Sequence, residues 1–188
     1  MRHQSVKQQS IVGGSLAVAA ALSVLLSDAF GLELVHVTLL GLALGAVVAL
    51  AGSGSVALRL AALAVGVVVC WFGYGLRAGY LPDTDLGRAV VFAATIAVVT
   101  VVAALSAGRL PLWPMLVGVA AVAGAYETTF AANPPLFMTE SVVAVTSVLL
   151  ATLVGFVVAV ATAAPQPSAD AAESGQSAPK RRALGVAA

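Results

Sequence analysis

The chain has 188 residues, 61% hydrophobic and 9% charged, with a formal net charge of +1. About a quarter of a soluble domain's residues are charged, so this chain has too few charges to coat a water-facing surface. Soluble classes are excluded. Apolar runs near 20 residues, each enough to cross a bilayer core of roughly 30 Å as a helix, predict an all-α membrane protein: a compact bundle of about six transmembrane helices with a disordered C-terminal tail. The alternating segments of a membrane β-barrel are absent.

In chain order, residues 1–9 are read as a cytoplasmic N-terminus and 10–27 as the first span. MRHQSVKQQ followed by IVGGSLAVAAALSVLLSDA also resembles a signal peptide, with Ser27 and Ala29 at a small-x-small cleavage site. The apolar run is longer than a usual signal core, so a retained span is the expectation; cleavage after residue 29 would leave five. Further spans are read at 34–52, 55–76, 87–107, 110–127 and 141–163. The turn formers Asp28 and Gly31, Gly52-Ser53-Gly54-Ser55, Pro82-Asp83, Gly108 to Pro111 and Asn133-Pro134-Pro135 separate them. Residues 164–188, rich in Ala, Pro and Ser and without an aromatic residue, form the tail. Its PKRR segment is read as a topology determinant rather than a lipid-binding site.

Six spans with a cytoplasmic N-terminus place Arg2, Lys7, Arg59, Arg109, Lys180, Arg181 and Arg182 inside, against Arg77 and Arg88 outside. This positive-inside bias predicts a multi-pass protein of the cell (plasma) membrane with both termini cytoplasmic. The Ala, Val and Gly richness points to a prokaryotic, GC-rich genome.

Lipid supplies no hydrophobic drive between helices, so close backbone approach carries more of the packing. Small residues four apart mark the expected contact faces: Gly41, Gly45 and Ala49 in the second span, and Ser147, Ala151 and Gly155 in the sixth. The first span (Gly13, Ala17, Ala21) and the fourth (Ala89, Ala93, Ala97) carry similar stripes. Phe30, Trp71, Tyr74, Tyr80, Tyr126, Phe130 and Phe137 are expected in an outer interfacial belt. Three-span halves would be oppositely oriented, as in inverted-repeat transporters. LLGLALGAVVAL in span two and LVGVAAVAGAY in span five, however, share little beyond Gly and Ala.

Chemistry has few places to sit. Asp83 and Asp85 form a D-x-D pair of the kind that can hold a divalent metal. With Thr84 between them, they also follow Pro82 and precede an apolar run, where such side chains cap a helix and suit its dipole. The capping reading is favoured, with Arg88 pairing to Asp85. MTES (138–141) reads as the cap of span six with Thr139 at the N-cap. Glu127 closes span five and is read as a solvated loop residue. A role with Arg77 or Arg88, or cation attraction at the outer mouth, is its alternative. His36 has no second ligand at metal spacing. Cys70, the only cysteine, is read as a buried thiol. No ionisable residue lies near the middle of a span, which argues against ion-coupled pumping. Thr95, Thr100, Thr146, Ser147 and Thr152 could line a polar seam between spans four and six; more simply, they hydrogen-bond within or between helices. No catalytic motif is present.

The expectation is a non-enzymatic accessory or scaffolding component of a membrane complex. A small transporter or channel for a neutral or weakly charged solute is the alternative. A membrane enzyme acting on lipid through Asp83, Asp85, Glu127 or His36 comes third. No cofactor or metal is expected. The expected partners are the lipid bilayer and a membrane protein or second copy, not nucleic acid.

Overall fold

The structure is a computed structural model describing residues 6–27, 37–51, 55–81 and 84–163. His36, Asp83, Phe30 and the tail lie outside the described residues. Six helices form an all-α bundle: α1 (Val6–Ser27), α2 (Thr38–Leu50), α3 (Val56–Tyr80), α4 (Asp85–Leu105), α5 (Leu112–Ala132) and α6 (Phe137–Thr162). Four stretches are long and apolar enough to cross a membrane: α3, α4, α5, and α6 with the 3-10 turn Pro134–Leu136 that leads into it. The 13 residues of α2 rise only about 20 Å, short of a typical hydrocarbon core.

Local chemistry sets the helix ends. Thr84 caps α4, its hydroxyl accepting from the Gly87 N–H at 3.2 Å, while Asp85 occupies the first turn. The chain leaves α4 through Ala107 and Gly108, at φ 52° and 79°, the left-handed region where glycine carries no Cβ penalty. Several expected boundaries shift, α1 beginning at Val6 rather than at residue 10 and α3 running to Tyr80 rather than to 76. Span five does not stop at Glu127, because α5 continues to Ala132. Thr139 is not the N-cap of α6, because the prolines at 134 and 135 turn the chain directly into a helix from Phe137, leaving Thr139 and Glu140 in its first turn.

Two helix pairs are fused at the level of the backbone. In the first, α2 meets α6. A Cβ built on Gly41 would lie 2.5 Å from Ala151 Cβ, one on Gly45 2.7 Å from Phe156 N and closer still to the Thr152 carbonyl oxygen, and one on Gly155 2.6 Å from Leu42 Cα. In the second, α3 meets α5. A Cβ on Gly118 would lie 2.9 Å from Val67 N and closer to the Leu63 carbonyl oxygen; one on Gly66 would strike the Met115 carbonyl. Ser147 is buried, and Ala49 packs half-buried against the main core. α4 packs on α3 and α5, and α1 on α6 and α2.

Other stripes face outward. Gly13, Ala17 and Ala21 on α1 and Ala89, Ala93 and Ala97 on α4 are exposed; α4 packs through Gly87, Val91, Thr95 and Val99 instead. The hydroxyls follow the simpler reading rather than the seam, because α4 and α6 are not packing partners. Thr100 and Thr146 are exposed and, like buried Thr152, bond back to their own helix. Nor do the aromatics form a belt. Tyr74, Tyr126, Phe130 and Phe137 are buried in one cluster, with Tyr74, Tyr126 and Phe130 in edge or tilted contact at 5.3–5.9 Å. Tyr80 is exposed. Edge-to-face packing, worth about 0.5–1.5 kcal/mol per pair beyond burial, helps hold these rings among the helices.

The end of the bundle holding the α3–α4 and α5–α6 connections is termed distal, the opposite end proximal.

Candidate functional site

Polar side chains converge at the distal end. Tyr74 and Arg77 sit three residues apart on one face of α3 and point at α5. There Glu127, more than a turn inside the helix, faces back. Tyr74 Oη donates to Glu127 Oε2 at 2.6 Å. Arg77 donates to Oε1 and Oε2 at 3.1 and 3.2 Å. From the first turn of α4, Arg88 Nε lies 3.4 Å from Glu127 Oε1, an ion pair without an aligned hydrogen bond. One carboxylate thus ties three helices. It is not a solvated loop residue, because the continuation of α5 turns position 127 onto α3. Arg88 pairs across to Glu127; the expected Asp85–Arg88 pair is not the contact formed.

Burial separates the two arginines. The Arg77 side chain is 1% exposed, against 39% for Arg88. Arg77 also lays its guanidinium 4.4 Å from the Phe130 ring centroid, a cation–π contact strengthened by desolvation. A charge so buried requires charged or polar partners, and Glu127 is one of them.

Below the tie, a cavity of about 240 Å³ opens between α3, α4 and α5. Cys70, Tyr74, Val91, Thr95, Val119 and Ala123 line it, with exposed Phe92 and Ile96 at its rim. A groove of about 430 Å³ lies between α3 and the α5–α6 turn. On its wall, Trp71 stacks on Phe137 at 5.9 Å and donates to Ser141 Oγ at 3.1 Å. Nearby, Tyr126 Oη and Glu140 Oε2 are buried and make no hydrogen bond among the described residues. Buried polar atoms without partners are rare in native structures.

Asp85 stands exposed at the start of α4. No group of three or more His, Cys, Asp and Glu able to hold a metal occurs among the described residues. Asp85→Asn is expected to shift the thermal midpoint little, whereas Thr84→Ala removes the capping hydroxyl and costs about 1 kcal/mol. Thermal melts of the two variants in detergent check the difference; equal losses would contradict the assignment of Thr84 as the cap.

Sequence reasoning missed one residue of weight. Arg59, counted there as an inner-loop charge, is buried at the proximal end, and its Nη1 donates to the carbonyls of Val48, Ala49 and Ala51 at 2.9, 3.0 and 2.5 Å. It caps the C-terminus of α2, where free carbonyls and the dipole favour a cation. An arginine in the first turn after a Gly-Ser loop, within reach of the preceding helix end, was the available signal.

Comparisons with protein-family models, with curated proteins and with solved structures give no match.

Proposed function

We propose that the protein is a small membrane carrier or channel for a solute that is neutral overall or weakly charged. It would cross the plasma membrane of a prokaryotic cell in six spans, both termini cytoplasmic, as the distribution of basic residues favours. The carrying observation is the cavity among α3, α4 and α5, lined by Tyr74, whose hydroxyl joins the Glu127–Arg77 tie. Apolar walls that Tyr74 links to a cluster of one carboxylate and two guanidiniums suit a small solute with an aliphatic body and a zwitterionic or singly charged end. The ammonium of a zwitterion would take Glu127 and its carboxylate Arg88, whose pairing is the loosest of the three. The polar seam that a hydrophilic solute would require is not formed, which narrows the reading to solutes with an apolar body.

An accessory or scaffolding role is the second reading. The outward stripes of α1 and α4 favour it, since small residues let a partner helix approach closely. Uptake of radiolabelled L-leucine and L-valine into proteoliposomes, compared with protein-free vesicles, tests the carrier. Uptake that depends on Glu127 is expected. No uptake, together with a stoichiometric partner recovered from native membranes, would transfer the assignment to the accessory role.

A further inference from the structure

The two glycine-fused seams are the same seam used twice. In α2 and α6, Gly45 abuts the Thr152 carbonyl and Phe156 N, and Gly155 abuts the Leu42 carbonyl. In α5 and α3, Gly118 abuts the Leu63 carbonyl and Val67 N, and Gly66 abuts the Met115 carbonyl. One shift of 73 residues carries Leu42 to Met115 and Gly45 to Gly118. One shift of 89 carries Leu63, Gly66 and Val67 to Thr152, Gly155 and Phe156. Both pairs of contacts therefore superpose in register, α2 standing for α5 and α3 for α6.

Between α3 and α6, burial and sequence agree with this register. Residues 59–70 of α3 and 148–159 of α6 are buried, half-buried or exposed identically at all twelve positions. Six of the twelve residues are identical: Leu60/Leu149, Ala62/Ala151, Val65/Val154, Gly66/Gly155, Val68/Val157 and Val69/Val158. The periodicity common to all helices reproduces a burial pattern after any whole number of turns, but it does not reproduce the same backbone contacts on the same glycines. The third helices follow suit. Thr95 of α4 sits over Gly73, and Ser15 of α1 donates at 3.4 Å to Thr162, the position 89 residues after Gly73.

Direction makes the repeat inverted. α3 runs parallel to α5, as contacts from Ala62–Met115 to Tyr74–Glu127 show. α2 runs parallel to α6, from Gly41–Ala151 to Gly45–Phe156. α5 and α6 are antiparallel neighbours across the Asn133–Leu136 turn. The equivalents α2 and α5 therefore point in opposite directions, as do α3 and α6. The symmetry element relating the halves lies across the helices, in the plane of a membrane they span.

We infer that the chain is an inverted tandem repeat of one three-helix unit, α1–α3 and α4–α6, and that it moves solute by exchanging the two units' conformations, with the Tyr74–Glu127–Arg77 tie as the gate of the distal half. Folds of this symmetry alternate access by rocking one repeat against the other. The cavity of the distal half, beside Cys70, corresponds to the region around Ala159, where α6, α1 and α2 meet. The tie itself has no symmetric copy: Glu127 corresponds to Gly54 and Tyr74 to Ala163. The gate is thus an added lock on one of two equivalent seams. The functional half of this inference rests on the carrier reading; the repeat does not.

The native cysteine supplies the probe. Labelling by a water-soluble methanethiosulfonate is followed in detergent at Cys70, and at position 159 in a Cys70→Ala/Ala159→Cys variant. Glu127→Gln, which opens the gate, is expected to speed labelling at Cys70 about tenfold and to slow it at position 159, as an exchange between two states requires. Tyr74→Phe, a milder change, reads the same way if Glu127→Gln does not stay monodisperse. Faster labelling at both positions, or no change at either in monodisperse protein, would overturn the inference. Reciprocal labelling without leucine uptake would keep the repeat and its exchange but remove the carrier reading.

Discussion

Gly45→Leu is expected to break the bundle, and Gly118→Leu to do so to the same extent. At both positions the first atom of any side chain collides with a carbonyl oxygen and a backbone nitrogen of the facing helix. Side-chain clashes relax by rotamer changes; a backbone moves only if the whole helix moves. Overpacking of a core costs about 1–3 kcal/mol where neighbours can yield, and here they cannot. We expect a loss above about 3 kcal/mol, a fall of roughly 10 °C or more in thermal midpoint. Gly13→Leu is the control, because a Cβ there meets nothing within 4 Å. Thermal melts monitored by size-exclusion dispersity measure all three. The matched losses matter as much as their size, since the two glycines occupy equivalent places in the repeat. A wild-type midpoint for Gly45→Leu would refute the α2–α6 seam.

Glu127→Gln carries the second large effect. The amide keeps an oxygen to accept from Tyr74 but removes the charge facing Arg77, whose side chain is 1% exposed. Removing one charged partner of a buried cation costs up to about 3–5 kcal/mol. Replacing both members by apolar residues of similar volume is nearly neutral, so Arg77→Met combined with Glu127→Leu should recover much of the loss. Arg88→Gln should cost less than about 1 kcal/mol, as its side chain is 39% exposed and water screens the pair. The order Glu127→Gln, then the double variant, then Arg88→Gln in decreasing loss is the signature of a buried tie with one solvated arm. A silent Glu127→Gln would return that residue to the solvated role its sequence context favours.

Residue composition and apolar run length were enough for the all-α membrane class, the number of helices and the rough place of each. These depend on local hydropathy, on turn formers such as Pro134 and Gly108, and on caps such as Thr84, all read within a few residues. The small-residue rule also picked out Gly41, Gly45, Ala151 and Gly155, yet it marked the exposed stripes of α1 and α4 equally well. Spacing shows that a helix has a smooth face; it does not show which neighbour that face will meet. The tie between Arg77 and Glu127 joins residues 50 apart, and neither one's surroundings in the chain name the other. The repeat was hidden for the same reason. Comparing span two with span five sets Gly41 beside Gly118, one turn away from the register in which their seams agree, and the stronger likeness lies between α3 and α6. Helix formation is written in neighbouring residues, whereas the choice of partner, and with it every buried polar contact between helices, is made by surfaces that meet only once the chain has folded.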